Sequence, residues 1–175
     1  GIQELQHDKR LSEEEIETIV RWVDAGTPMG DPADLPAPAT FPEAGTWQLA
    51  ETYGRAPDLV VPSDPYTVEA GGQDRWWQPI VPTGLTEDRY VAAVEIKEVN
   101  DVGTGGEDGR ETVGGRFIVD HMIWRTEAYA EDGDVSDTQG WPVHEVGRNP
   151  DVFDPEGGRL LKAGSSVVSE SVHLH

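Results

Sequence analysis

An antiparallel β-sandwich, mainly β, is the fold class predicted for this chain, with an N-terminal helix and a Pro-rich linker ahead of it. Three observations predict it. From Trp47 onward the sequence breaks into short β-branched and aromatic runs bounded by Gly, Pro, Asp and Asn. Only one stretch has a clear helical period, near the start. Hydrophobic residues make up 36% of the 175 residues and Trp occurs six times, enough to build one core.

The helix is expected over residues 12–25. Ser12 is an N-cap and Glu15 stands three residues later, which is a capping box. Leu11 and Ile16 hold the staple positions on either side of it. Ile16, Ile19, Val20 and Val23 recur at helical spacing and make one apolar face. Gly26 supplies the stop, with Pro28 just beyond. Such a segment needs a surface to lie on, because about 14 residues alone are marginal in water. Residues 28–42 carry five prolines and are expected to be extended and semi-rigid. The predicted division is a helical piece over 1–27, a linker over 28–46 and a β domain over 47–175.

Strands are predicted at Asp58–Val61, Tyr66–Glu69, Arg75–Val81, Arg89–Val99, Gly115–Thr126, Arg159–Lys162 and Ser166–His175. In the fourth, Ala92, Val94 and Ile96 form the better core face. Two long loops are expected, Asn100–Gly114 and Glu131–Gly158. Within the second, Glu131–Asp137 has the acidic spacing of a calcium loop without the Gly and distal Glu of an EF-hand, so a solvated turn is expected. Asp154–Gly158 is a turn feeding the next strand. Of Trp76 and Trp77, one is expected in the core and the other at a contact or under the linker.

Lys and Arg number 13 against 34 Asp and Glu, a net charge of −21. This argues against nucleic acid, whose phosphates need the opposite sign. It suits a basic protein partner, a metal cation, or plain solubility. No apolar run approaches the roughly 20 residues of a membrane helix. Cysteine is absent, so disulfides, thiolate metal sites and covalent haem attachment are excluded within these residues. The start at Gly1 and the lack of a signal-peptide pattern are expected of a piece processed or cut from something longer.

Three of the five histidines fall in two places, Val119-Asp120-His121-Met122 and Val172-His173-Leu174-His175. His173 and His175, two apart on a strand, share a face and can chelate together. Asp120 and His121 are adjacent, so they converge on one ion only at a strand end or a bulge. The candidate metal set is His121, His173 and His175, with Asp120 as a fourth ligand. A hard carboxylate among imidazoles favours Zn(II) or Cu(II) over a copper that cycles through Cu(I). The competing reading is a hydrogen-bonded His121 with His173 and His175 on a polar strand face. His144 is expected exposed in its loop, and His7 in a mobile end.

Two stretches resemble known families. Leu11–Pro28 with Gly30–Pro36 resembles the last helix and exit linker of bacterial c-type cytochrome domains. The haem motif of that family is not in these residues, and haem is not expected in this chain. Ala56–Val61, Pro65–Val68, Asp88–Glu95, Val119–Met122, and Leu160–Val168 with Val172–His175 resemble the N-terminal domain of copper type II, ascorbate-dependent monooxygenases of the peptidylglycine-hydroxylating group. That resemblance implies a jelly-roll-like sandwich, an extracytoplasmic (periplasmic) location, and one copper held by a His-His pair and a later His. The pair falls on Asp120 and His121 and the later one on His173, so Asp120 departs from the pattern. The second copper of the family draws its ligands from a following domain.

The function expected from these features is a non-catalytic accessory or scaffold subunit, docked on a larger electron-transfer or membrane-associated assembly of respiratory or photosynthetic type. No cofactor is then required, although copper or zinc fits the ligands. The alternatives are a fragment of a copper monooxygenase contributing one copper site, and a structural Zn or Cu(II) module.

Overall fold

The computed structural model describes residues 10–38, 46–69, 71–103 and 118–175. The chain divides into two units, Gly1–Phe41 and Pro42–His175. His7 and most of the Asn100–Gly114 segment lie outside the described residues.

In the first unit, α1 spans Glu13–Asp24. The capping box forms as its residues dictate: Glu15 N–H donates to Ser12 Oγ at 3.2 Å, and Ser12 N–H donates to Glu15 Oε2 at 2.7 Å. At the other end Gly26 takes φ 84° and Thr27 N–H reaches back to the Trp22 carbonyl at 3.0 Å, while Gly26 N–H bonds Val23 O. These paired bonds close the last turn in a Schellman arrangement. Trp22 Nε1–H donates to the Pro28 carbonyl at 3.0 Å and ties the departing chain to the helix. A short 3₁₀ turn follows at Pro32–Asp34, capped by the Asp31 carboxylate.

The second unit is mainly β, and the strand pairings among its described residues are all antiparallel. Its strands are β1 (Arg75–Trp77), β2 (Ile80–Pro82), β3 (Arg89–Val91), β4 (Ala93–Glu95), β5 (Val119–Tyr129), β6 (Val135–Gly140), β7 (His144–Glu145), β8 (Pro150–Val152), β9 (Arg159–Leu161) and β10 (Ser166–Leu174). The long strands β5 and β10 pair at the centre of the main sheet. β1 and β2 both lie on the outer side of β10, and β6 and β7 both on the outer side of β5. Among the described residues, two further ribbons form, β3–β9 and β4–β8.

The core follows from alternation along the centre. Val168, Val172 and Leu174 of β10 are buried, as are Thr126 and Ala128 of β5. Trp141, just after β6, covers this face. Its indole stacks on Trp124 at 5.5 Å, its Nε1–H donates to Thr126 Oγ1 at 2.9 Å, and Phe153 lies 5.9 Å away. The Arg159 guanidinium caps both Trp141 and Phe153.

The structure corrects several sequence expectations. No strand forms at 58–61 or 66–69. Residues 62 and 65 are proline and have no N–H to give a ladder. The strand expected over 75–81 is split at Gln78–Pro79, opposite a bulge in β10. There Ser169 N–H donates to Pro79 O, and Ser171 N–H donates to Ser169 Oγ. The strand expected over 89–99 is also two strands with different partners, and its supposed core face is not buried, Ala92 being exposed. The Glu131–Gly158 loop contains β6, β7 and β8. Its acidic start is the β5–β6 hairpin turn, closed by Ala130 N–H to Asp134 O at 2.8 Å.

One helix was missing from the sequence reading: α2, Gln48–Tyr53. Its N-cap residue is Trp47, which has no capping side chain. The Glu95 carboxylate takes over, accepting from Gln48 N–H and Leu49 N–H at 2.9 Å each. A carboxylate from 46 residues away satisfies the orphan donors and opposes the helix dipole. No helix among the described residues is long and apolar enough to cross a membrane.

Candidate functional site

A second register shift on the central pair builds the site. Leu174 pairs with Val119 and His173 with His121, which leaves Asp120 without an opposite residue. This is the bulge that lets neighbouring side chains converge. The Asp120 carbonyl is held by Val146 N–H at 2.9 Å, and His175 N–H bonds the Ile118 carbonyl at 2.9 Å, so the irregular backbone is tied on both sides.

The Asp120 carboxylate consequently lies between two imidazoles. Its Oδ2 is 2.9 Å from His121 Nδ1 and 3.0 Å from His173 Nδ1. Those bonds, the one from His121 first, hold the carboxyl well below its ordinary range, at about 2, against a smaller opposing effect of desolvation. At neutral pH Asp120 is therefore an acceptor only, and the two rings donate their Nδ1–H groups to it. His175 Nε2 approaches the same oxygen at 3.6 Å.

Alternation along β10, carried on into His175 just beyond its end, turns His173 and His175 away from the buried Val172 and Leu174. Their ring centroids are 4.8 Å apart. Asp74 immediately precedes β1, whose Arg75 pairs with Leu174, and this places its carboxylate beside both rings. Asp74 Oδ2 is 3.5 Å from His173 Nε2 and 3.5 Å from His175 Nδ1. Trp76, two residues on, stacks on His173 at 4.6 Å and 20° and meets His121 edge-on at 5.5 Å. Trp77 stacks on Tyr66 at 5.3 Å. Neither Trp is fully buried, and Trp76, at 55% exposure, belongs to the histidine cluster.

All four residues of the sequence-derived set, Asp120, His121, His173 and His175, thus lie at one end of the β5–β10 pair. Among the described residues, two triads have one ligand atom each within 4.8 Å of the others: Asp120–His121–His173 and Asp74–His173–His175. The donors, imidazole nitrogens and carboxylate oxygens, fit a divalent transition ion such as Zn(II) or Cu(II).

No family model, curated protein or solved structure matches the chain. The functional reading accordingly rests on the geometry and chemistry of this cluster.

Sequence reasoning missed Asp74, because nothing in its flanking residues signals a ligand. The pairing of β1 with β10 brings it in. His144, expected exposed, is instead buried at 5% exposure on β7. It pairs with Met122, and its Nδ1–H donates to the Arg148 carbonyl at 3.1 Å. Burial pushes its pKa down, opposed by that hydrogen bond and by Asp151 and Glu145. It is a structural histidine well satisfied by backbone.

Proposed function

We propose that the β unit is a non-catalytic accessory domain that holds one divalent transition-metal ion as a structural element, within a larger extracytoplasmic assembly. The observation that carries this is one cluster in which Asp120–His121–His173 and Asp74–His173–His175 each bring one ligand atom per residue within 4.8 Å of the others. An ionised carboxylate among imidazoles is a good partner for Zn(II) or Cu(II) and a poor one for Cu(I). A copper that must cycle through Cu(I) is therefore disfavoured, and a resident ion would fasten β1 to the β5–β10 pair. The net charge of −21 supports docking on a basic surface. In this reading the sheet and its ribbons are a jelly-roll-type sandwich related to the copper monooxygenases, kept for assembly rather than turnover.

The test is metal titration of chelator-stripped protein. About one equivalent of Zn(II) or Cu(II) is expected to bind, His173→Ala abolishes it, and ascorbate-dependent turnover is absent. Failure to bind either ion removes the metal-holding role, and ascorbate-dependent turnover removes the non-catalytic one.

A second reading is a fragment of an active copper monooxygenase. It is favoured by one observation: the positions that the resemblance assigns to a single copper, 120, 121 and 173, do converge. Asp120→His then restores three imidazoles. Tight Cu(I) binding by the unaltered chain would favour this reading over the structural one.

A further inference from the structure

The two carboxylates of the cluster stand at different kinds of distance from the rings, and the difference assigns them different jobs. Asp120 Oδ2 lies 2.9 and 3.0 Å from Nδ1 of His121 and His173, ordinary hydrogen-bond lengths. Asp74 Oδ2 lies 3.5 Å from both His173 Nε2 and His175 Nδ1, too long for a good hydrogen bond. That spacing matches the edge of a tetrahedron of donors around Zn(II), about 3.4 Å for bonds of about 2.0–2.1 Å.

The ring of His173 connects the two. With Nδ1–H donated to Asp120, a neutral His173 carries its lone pair on Nε2. In that tautomer, the one a metal ligand needs, the lone pair faces the Asp74 carboxylate, acceptor against acceptor, at 3.5 Å. A cation between them converts an unfavourable encounter into two ligand bonds. His175 supplies the third donor from the same strand face, two residues along. Trp76 stacked on His173 fixes the ring plane, so Nε2 is aimed at Asp74. The exposed sides of Asp74 and His175, 55% and 49% accessible, leave the fourth position to water.

We propose that the ion is ligated by Asp74, His173 and His175, and that Asp120 is a positioning residue that fixes the His173 tautomer. This rests on the metal-holding reading above and names its ligands. It moves the ion off the Asp120–His121 pair to which the family resemblance points. The arrangement is the carboxylate–histidine–metal relay in which an outer carboxylate orients a ligand ring, a role whose loss typically costs 10–100-fold in affinity.

The experiment is Zn(II) titration of the full chain, stripped of metal, against a competing chelator, with circular dichroism to confirm folding. Asp74→Asn and His175→Ala are each expected to weaken Zn(II) by about 100-fold or more, beyond the outer-carboxylate range. His121→Ala is expected to change affinity by less than about threefold, since a half-buried ring outside the ligand set contributes little. Asp120→Ala is expected to lose about 10–100-fold, and Asp120→Asn, which keeps an oxygen acceptor for Nδ1–H, to recover most of it. If His121→Ala abolishes binding while Asp74→Asn and His175→Ala leave it intact, the ion sits on Asp120 and His121, and the ligand assignment is wrong although the metal-holding reading survives. If the unaltered chain binds no Zn(II), both fall.

Discussion

The β5–β10 pair has two ends built from the same backbone ladder and put to opposite uses. At the Ser166–Ser169 end, Trp141, Thr126, Val168 and Ser169 are buried, and their polar atoms are spent within the sheet: Trp141 Nε1–H on Thr126, Ser169 Oγ–H on the Ile123 carbonyl at 2.7 Å. At the Asp120–His175 end, three imidazoles and two carboxylates gather on a half-exposed face, and ring nitrogens outnumber the hydrogen bonds that engage them. The first end stabilises. The second keeps ligand capacity open. A bulge separates the two on β10 at Glu170, and a second bulge on β5 at Asp120 builds the open end.

Four variants break or sharpen that contrast. The largest effect is expected at the closed end. Trp141→Ala removes a buried aromatic together with its hydrogen bond and should cost about 3–5 kcal/mol in denaturant unfolding. Zn(II) affinity of the folded fraction should be unchanged, because no ligand touches Trp141.

Glu95→Gln comes next. It weakens the distant cap of α2 and should cost about 1 kcal/mol, read as a lower denaturation midpoint with reduced helical signal.

His144 gives a smaller, pH-dependent effect. Its folded-state pKa is depressed by burial, so the unfolded chain takes up a proton near pH 6.5 and the fold does not. The stability it contributes is complete above about pH 6.5 and declines as pH falls through that value towards the folded-state pKa. Comparison with His144→Gln over pH 5–8 should show the difference between the two proteins shrinking on the acid side. A difference independent of pH would contradict the burial argument.

The smallest effect is expected at the open end without metal. His121→Ala on a partly exposed ring should shift unfolding by no more than about 0.5 kcal/mol. A large loss there would mean that the cluster is a packing element after all.

Much of the first unit was legible because its signals are local. Ser12, Glu15, Gly26 and the period of Ile16, Ile19, Val20 and Val23 are each within one turn of what they act on. The mainly β character and the strands β5, β9 and β10 were legible for the same reason. Two failures are local, the strands expected at 58–61 and 66–69, where Pro62 and Pro65 cannot give a ladder N–H; others come from long-range pairing. α2 depends on Glu95, and β6, with exposed polar residues along an edge, has no apolar alternation to show. The division of 75–81 comes from Pro79 meeting the Glu170 bulge.

The site was half legible. His173 and His175 share a face by the period of the strand. The need for a strand end or a bulge at Asp120–His121 followed from strand geometry, and the structure supplies a bulge. Asp74 and Trp76 were not legible as members of the cluster, since only the β1–β10 register brings them to His173. The burial of His144 likewise depends on the short β7 pairing against Met122.

An ion on His173 at the open end of the β5–β10 pair is open to a direct test. Crystals of the full chain grown with Zn(II), with data collected on both sides of the zinc edge, test it directly. An anomalous peak about 2.0–2.2 Å from His173 Nε2, shared with Asp74 and His175, is the predicted result. No peak at the cluster, with Asp120 still hydrogen-bonded to both rings and Asp74 turned to solvent, would contradict it.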